Sequence, residues 1–186
     1  VFDILARWHY CIANLHILLR RVKFFKGRPK SGLFYCLKFG GTSIMYQLLT
    51  SSDCFKKYGA PELEKSMVLW DVPTELEIGV IPKRIYCNKD LQIPLLLAFK
   101  SLIATGYIKE LKTWDGCFNI RKKRGASSSS LHSWGVAIDI NAAWNGFGKK
   151  PTLSDGFVKC FTDNGFDWGG YWSKPDGMHF QLKNEA

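Results

Sequence analysis

Apolar positions recur at helical spacing in two stretches of the chain. In LQIPLLLAFKSLIATGY, apolar side chains at 95, 96, 99, 102 and 103 predict a buried helix. Pro94 suits its first turn and Gly106 its C-terminal stop. LSDGFVKCFTDNGF predicts a second helix, with Ser154 as the N-cap and Gly165 as the stop.

Shorter apolar runs bounded by proline, glycine and asparagine predict strands. VAIDI and MHFQL have this form, and MVLWDVPTELE and PKRIYCNKDL predict a short strand and a loop, each interrupted by proline. No internal repeat is visible. Helices set against a small antiparallel sheet define an α+β domain, which we expect to cover residues 61–186.

The first 60 residues differ from the rest of the chain in composition. VFDILARWHYCIANLHILLRRVKFFKGRPKSG is apolar and basic, and it is compatible with an amphipathic helix ending near the Gly-Arg-Pro break at 27–29. Its charges follow the apolar run, whereas those of a signal peptide precede it. Two interpretations stay open for this N-terminal extension: a poorly structured segment outside the domain, or a segment that contacts an anionic envelope lipid or polymer.

The basic charge is concentrated in this extension. The 186 residues carry a net charge of +10, but residues 1–60 hold ten Lys and Arg against two acids, and the remainder holds sixteen against fourteen. Nucleic-acid binding is therefore disfavoured for the domain. No window of 18 uncharged apolar residues predicts a spanning helix. Six scattered cysteines without a C-x-x-C pair indicate reduced thiols and synthesis in a reducing cytoplasm. Separately, we expect the protein to be a monomer.

The stretch SLHSWGVAIDI contains the first candidate chemistry. His132 and Asp139 are seven residues apart, so a straight strand would point them to opposite faces and a helix would separate them by about 10 Å. A bend at Gly135 would bring His132 back over the strand. The two side chains would then be close enough to contact the same bound group.

A zinc site is one reason for such convergence. Catalytic zinc takes three protein ligands and leaves a fourth position for water. His132 and His179 are the only imidazoles outside the extension, and Asp139 is the candidate third ligand, because an acid inside VAIDI needs a partner. The alternative is that His132 caps a loop, Asp139 pairs with a lysine, and no metal binds.

Two further stretches add weaker signals. In PDGMHF, Asp176 stands three residues before His179 and could take the proton of an attacking water, although Pro-Asp-Gly is also a common turn. IRKKRGASSSS precedes His132, and an arginine there could hold a substrate carboxylate or an oxyanion. The alternative is a solvated basic loop.

Together these residues resemble a known family. The pattern S-x-H-x-x-G-x-A-x-D is complete, and an acid-x-x-His pair follows it. The chain resembles the VanY-type D-alanyl-D-alanine carboxypeptidase family of zinc peptidases over about residues 65–183, and within it phage endolysins that cut the L-alanyl-D-glutamate bond. Matching positions of the first pattern are Ser130, His132, Gly135, Ala137 and Asp139.

The resemblance implies a Hedgehog/D-Ala-D-Ala peptidase-like fold and a role for each residue. Zn²⁺ would be held by His132, Asp139 and His179, and Asp176 would be the base. Arg121 would polarise the scissile carbonyl, with Arg124 as its rival in the same loop. The expected substrate contacts are Ser130, Arg124, Trp168 and Trp172, and for the two tryptophans a place in the core is the alternative.

The implied function is hydrolysis of peptidoglycan stem peptides by an enzyme made in the cytoplasm and acting on the cell wall. L-alanyl-D-glutamate endopeptidase and D-alanyl-D-alanine carboxypeptidase share these residues, so the bond stays open. Two other classes are rivals: a Hedgehog-like zinc-binding module without activity, and a nucleic-acid binder suggested by the N-terminal charge.

Overall fold

The computed structural model describes residues 24–25, 34–39 and 42–184, with side chains described from residue 47 onward. Contacts divide the chain into two units, Val1–Leu48 and Leu49–Ala186. In the first unit, strands β1 (Phe24–Phe25), β2 (Phe34–Phe39) and β3 (Thr42–Gln47) form an antiparallel sheet in the order β1-β2-β3.

The predicted amphipathic helix lies largely outside the described residues. Its one described part, Phe24–Phe25, is a strand that pairs with Cys36 and Leu37 of β2. The predicted contact with an anionic envelope also concerns residues that are mostly outside the description.

The second unit combines four helices with two antiparallel sheets within residues 49–184. The sheets are the pair β4-β5 and a four-stranded sheet in the order β6-β7-β9-β8. This architecture confirms the predicted α+β class. The elements are α1 (Ser51–Tyr58), β4 (Met67–Asp71), β5 (Arg84–Asn88), α2 (Gln92–Thr105), β6 (Trp114–Gly116), β7 (Ala137–Ile140), α3 (Ala142–Asn145), α4 (Asp155–Thr162), β8 (Phe166–Trp168) and β9 (His179–Leu182).

Both predicted helices are present. Helix α2 ends at Gly106, whose φ of 77° is the left-handed conformation that favours glycine at a C-terminal stop. Helix α4 begins at the predicted N-cap, where the Ser154 hydroxyl accepts a hydrogen bond from the Phe157 N–H at 3.2 Å. It ends earlier than predicted: Thr162 is its last residue, and Gly165 follows in a turn.

The stretch PKRIYCNKDL is a strand rather than the predicted loop. Residues Arg84–Asn88 pair with β4, and Ile85 and Cys87 are buried while Arg84 and Tyr86 are exposed. This alternation is the ordinary pattern of a half-buried strand. Only five residues lie between the flanking proline and asparagine, and so short a segment shows too few alternating positions to predict a strand.

Helix α1 precedes residue 61, where the sequence predicts the start of the domain. Its N-terminus carries a capping box between Thr50 and Asp53. The Ser51 hydroxyl donates a hydrogen bond to the Ser129 carbonyl at 2.6 Å. The bond from Ser51 to Ser129 ties α1 to the loop that leads to His132.

The core lies between α2, α4 and the four-stranded sheet. Its largest fully buried side chains include Phe99, Phe161 and Phe180, and the rings of Phe161 and Phe180 lie 4.5 Å apart. Phe180 belongs to β9, so packing against α4 fixes the strand that carries His179.

Two further predictions concern cysteines and membrane spans. Cys54, Cys87, Cys117 and Cys160 are free and buried, as expected for reduced thiols. Among the described residues, no helix is both long enough and apolar enough to cross a membrane.

Candidate metal centre

The sheet register brings two of the three predicted ligands together. Asp139 of β7 and His179 of β9 are directly opposed in the antiparallel ladder. Opposed residues project from the same face with their Cβ atoms about 5 Å apart. Strand pairing alone therefore accounts for the proximity of these two side chains.

The third predicted ligand arrives through a bend. His132 lies in the 3₁₀ turn Leu131–Trp134, and Gly135 ends that turn at φ 62°, in the left-handed region. A Cβ at this position would lie 2.7 Å from Cε of Met67 and 2.8 Å from the Asn88 backbone nitrogen. Both the backbone angle and the close packing require glycine. The predicted bend at Gly135 is confirmed.

Three ligand atoms form a nearly equilateral triangle. Nε2 of His132, Nδ1 of His179 and Oδ1 of Asp139 are each 3.2 Å from the other two. Zinc–ligand bonds of about 2.0–2.1 Å in tetrahedral geometry separate ligand atoms by about 3.3 Å. The triangle thus matches one face of a zinc tetrahedron.

The far nitrogens of both histidines face hydrogen-bond acceptors. Nδ1 of His132 lies 2.6 Å from the Cys117 carbonyl, and Nε2 of His179 lies 3.3 Å from Oε1 of Gln181. The Gln181 amide donates to the Leu49 carbonyl at 3.2 Å, which fixes Oε1 toward the imidazole. Each histidine therefore donates outward and turns a lone pair toward Asp139.

Such an arrangement fits a metal cation. With both imidazoles neutral, two nitrogen lone pairs and a carboxylate oxygen converge without a proton between them. Burial opposes ionisation of Asp139, but when the histidines instead carry protons toward it, their hydrogen bonds and charge outweigh burial and hold the pKa of the carboxyl well below its usual range. Two imidazoles and one carboxylate are a typical donor set for catalytic zinc.

Asp176 lies beside this triangle, and one of its carboxylate oxygens makes no hydrogen bond to the described residues. Its Oδ1 is buried and has no hydrogen-bond partner among the described residues. Burial raises the pKa of Asp176, and the Asp139 charge adds to this, while His179 and Arg124 oppose it. The Gly169 carbonyl accepts the Asp176 N–H at 3.0 Å and so fixes this turn.

An open cleft reaches the triangle at His179. Arg121 lies in its lining, and Nη2 of Arg121 is 3.9 Å from Oδ2 of Asp139. Ser130 is buried, and its N–H donates to the Arg121 carbonyl at 2.8 Å. The other lining residues are Lys123, Arg124, Ala126, Leu131, Phe147, Trp172, Asp176, Met178, His179 and Gln181.

The two predicted tryptophans have different positions. Trp172 lines the cleft, and its ring centroid is 5.4 Å from that of His179. Trp168 is buried, donates its indole N–H to the Gly177 carbonyl at 2.8 Å and stacks on Phe180. The structure thus places Trp168 in the core, which is the alternative that the sequence left open, and not in the cleft lining.

Sequence reasoning missed two contributors to the centre. Gln181 stands two residues after His179, and period-two alternation on β9 was a usable signal that both face the same side. The Cys117 carbonyl left no such signal, because any residue supplies a carbonyl and only the fold brings this one to His132.

Comparison with known proteins supports the resemblance over part of the chain. A family model described as D-alanyl-D-alanine carboxypeptidase matches residues 124–182. The match contains His132, Asp139, Asp176 and His179, and it begins after Arg121. It supports a peptidoglycan-related zinc metallopeptidase. No curated protein and no solved structure matches the chain.

Proposed function

We propose that this protein is a zinc-dependent peptidoglycan peptidase that hydrolyses the L-alanyl-D-glutamate bond of stem peptides, as a phage-type endolysin acting on the cell wall. The observation that carries the proposal is the triangle of His132, Asp139 and His179 beside the unpartnered carboxylate oxygen of Asp176. A binding site needs only the triangle. A hydrolase also needs a base beside it.

Zinc held by the triangle would supply Lewis-acid chemistry, lowering the pKa of water and polarising a carbonyl. Asp176 accepts the proton of the attacking water on Oδ1 while the water oxygen bonds to the scissile carbon. It then gives that proton to the departing amine nitrogen as the C–N bond breaks. Its raised pKa suits the first transfer, because a stronger base accepts the proton of water more readily.

Arg121 stabilises the charge that develops on the carbonyl oxygen. Its guanidinium lies at the edge of the triangle, 3.9 Å from Asp139, and presents N–H donors toward the cleft. Ser133 and Ser130 hold the Arg121 backbone in place: the Arg121 N–H donates to the Ser133 hydroxyl, and its carbonyl accepts from Ser130. Trp172 forms one wall, where a substrate can pack against the indole ring.

The second candidate is D-alanyl-D-alanine carboxypeptidase activity, which the description of the matching family model favours. Both reactions use the same ligands and base, and they differ in the peptide that the cleft accepts. Mass spectrometry of muropeptides digested with the purified, zinc-loaded protein separates them. New N-terminal D-glutamate indicates the endopeptidase, and loss of one terminal D-alanine indicates the carboxypeptidase.

The Asp176→Asn variant tests the enzyme itself. We expect hydrolysis to fall by at least about a hundredfold, while zinc content stays at the wild-type value, because the base is lost and the ligands remain. Asp71→Asn is the matched control, since that side chain is 85% exposed on β4 and should leave hydrolysis unchanged. Full activity in Asp176→Asn would refute the assignment of the base.

The same experiment addresses the two rivals. A wild-type protein that binds zinc and cleaves no muropeptide would indicate a Hedgehog-like binding module. Removal of residues 1–60 also removes helix α1, so the nucleic-acid rival is better tested with the full chain, by DNA-binding and muropeptide assays side by side.

A further inference from the structure

The cleft is rich in hydrogen-bond donors and poor in acceptors. Arg121, Lys123 and Arg124 all contribute to its lining, whereas Asp176 is the only acid among the described residues of that lining. Asp176 is assigned to proton transfer, and Arg121 already faces Asp139. The remaining positive charge of the lining is complementary to an anionic group on a ligand.

Arg124 of the lining and Lys174, which lies outside the lining, converge on one aromatic ring. The guanidinium carbon of Arg124 lies 5.9 Å from the centre of the Phe147 ring, and Nζ of Lys174 lies 4.4 Å from it. Phe147 itself lines the cleft. Among the described residues, neither cation has an acid within ion-pair distance, although like charges so close to one ring repel each other.

The loop that carries Lys174 is fixed to the loop that carries Phe147. The Gly148 N–H donates to the Pro175 carbonyl at 2.6 Å, one residue from Phe147 on one side and from Lys174 on the other. A Cβ on Gly148 would lie 3.4 Å from Cε of Lys174, so the lysine side chain runs across this glycine. Lys174 is therefore held over the Phe147 ring by its surroundings.

Trp172 adds a third donor without an acceptor. Its Nε1 is buried and has no hydrogen-bond partner among the described residues, although the ring lines the cleft. A buried N–H without an acceptor costs about 1–3 kcal/mol in general. The indole ring would have to turn toward the cleft for a ligand oxygen to reach this N–H, and the bond so formed would remove that cost.

We propose that Arg124 and Lys174, placed by Phe147, form with the indole N–H of Trp172 a subsite for a carboxylate of the substrate beside the scissile bond. The inference rests on the proposed function. Both bonds considered there have such a carboxylate on the departing residue: D-glutamate carries one of its own, and a terminal D-alanine carries the chain terminus. The subsite would select peptides in which this group is free over those in which it is amidated.

A pair of muropeptides that differ only by amidation of this carboxylate tests the inference. We expect the zinc-loaded wild-type protein to show kcat/KM about tenfold higher for the acid than for the amide, since charge-assisted bonds are roughly twice as strong as neutral ones. Lys174→Gln and Arg124→Gln should each lower this acid-to-amide ratio by about threefold or more. Trp172→Phe should raise KM for the acid.

Lys150→Gln is the matched control, because Lys150 is an exposed cation three residues from Phe147 that does not line the cleft, and this variant should keep the wild-type ratio. High salt should reduce the wild-type preference, since exposed charges are screened within about 3 Å at 1 M. An acid-to-amide ratio near one in the wild type, or a ratio unchanged in both cation variants, would overturn the subsite.

Calorimetry keeps this inference separate from the proposed function. The affinity of the zinc-loaded protein for the same two peptides can be measured whether or not they are cleaved. Preferential binding of the acid without hydrolysis would refute the proposed function and support the subsite. Hydrolysis of both peptides with equal affinity would support the function and refute the subsite.

Discussion

Replacement of Gly135 by alanine tests two requirements at this position, a left-handed backbone and the absence of a side chain. The residue is at φ 62°, and a left-handed backbone costs a residue with a Cβ about 1–2 kcal/mol. The added Cβ would also lie 2.7 Å from Met67 and 2.8 Å from the backbone nitrogen of Asn88. The backbone atom cannot rotate away, so the turn or β5 must shift.

The expected loss of stability follows from these two terms. Overpacking of this kind costs about 1–3 kcal/mol, which with the backbone term gives about 2–5 kcal/mol in all. A domain stable by about 5–15 kcal/mol would still fold. Because His132 lies three residues earlier in the same turn, the shift should also displace Nε2 from the ligand triangle and weaken zinc binding.

Gly106→Ala is the matched control. Gly106 has φ 77°, and a Cβ there would meet nothing within 4 Å, so only the backbone term applies. Urea unfolding of both zinc-free variants should show Gly135→Ala to be less stable by about 1–3 kcal/mol. Competition with a chromogenic chelator should show weaker zinc binding for Gly135→Ala alone. Equal stability and equal zinc affinity in the two variants would refute the packing argument.

Three further predictions concern the surroundings of the centre. Gln181→Leu should lower zinc affinity about 10–100-fold in a chelator competition, since the acceptor of the His179 N–H is lost, and Gln181→Glu should retain it. Burial raises the pKa of Cys54 and Cys87 to about 12, so iodoacetamide at pH 8 should label them only after unfolding, as read by peptide mass spectrometry. Burial opposes ionisation of Asp90, but its hydrogen bonds with Lys57 and Tyr58, together with nearby lysine charge, outweigh burial and lower the pKa below 3.8. That stabilisation is complete above pH 3.8 and is lost as the pH falls through the lowered value. Asp90→Asn should therefore lose less stability, by up to about 1 kcal/mol, between pH 7 and pH 3 in urea unfolding.

The ligand triangle could be predicted because its geometry depends on local sequence. His132 and Asp139 are an odd number of residues apart, so they can meet only if the chain bends between them. Gly135 indicated where that bend lies. The VAIDI and MHFQL runs are strands, and their pairing brings Asp139 opposite His179. Each of these steps uses a residue type or a period that can be read from the chain.

Other parts of the site depend on long-range placement. Phe147 and Lys174 are 27 residues apart, and neither belongs to a recognisable pattern. Trp168 and Trp172 are equivalent in the sequence, yet one donates to Gly177 in the core and the other lines the cleft. The direction of a side chain from a turn-rich segment is set by packing, which a single sequence does not display.

The proposed metal site was easier to predict than the bond that the enzyme would cut, because the two depend on different parts of the fold. Zinc tolerates errors of only a few tenths of an ångström in its ligands, so they must come from strands and from a turn that glycine fixes. His132 and His179 are accordingly buried. A peptide substrate tolerates looser contacts, and Arg124 and Lys174 come from exposed loops that can vary while the triangle stays intact. Under the proposed function, zinc would constrain the sequence around the triangle, whereas the choice of substrate would lie in residues free of that constraint.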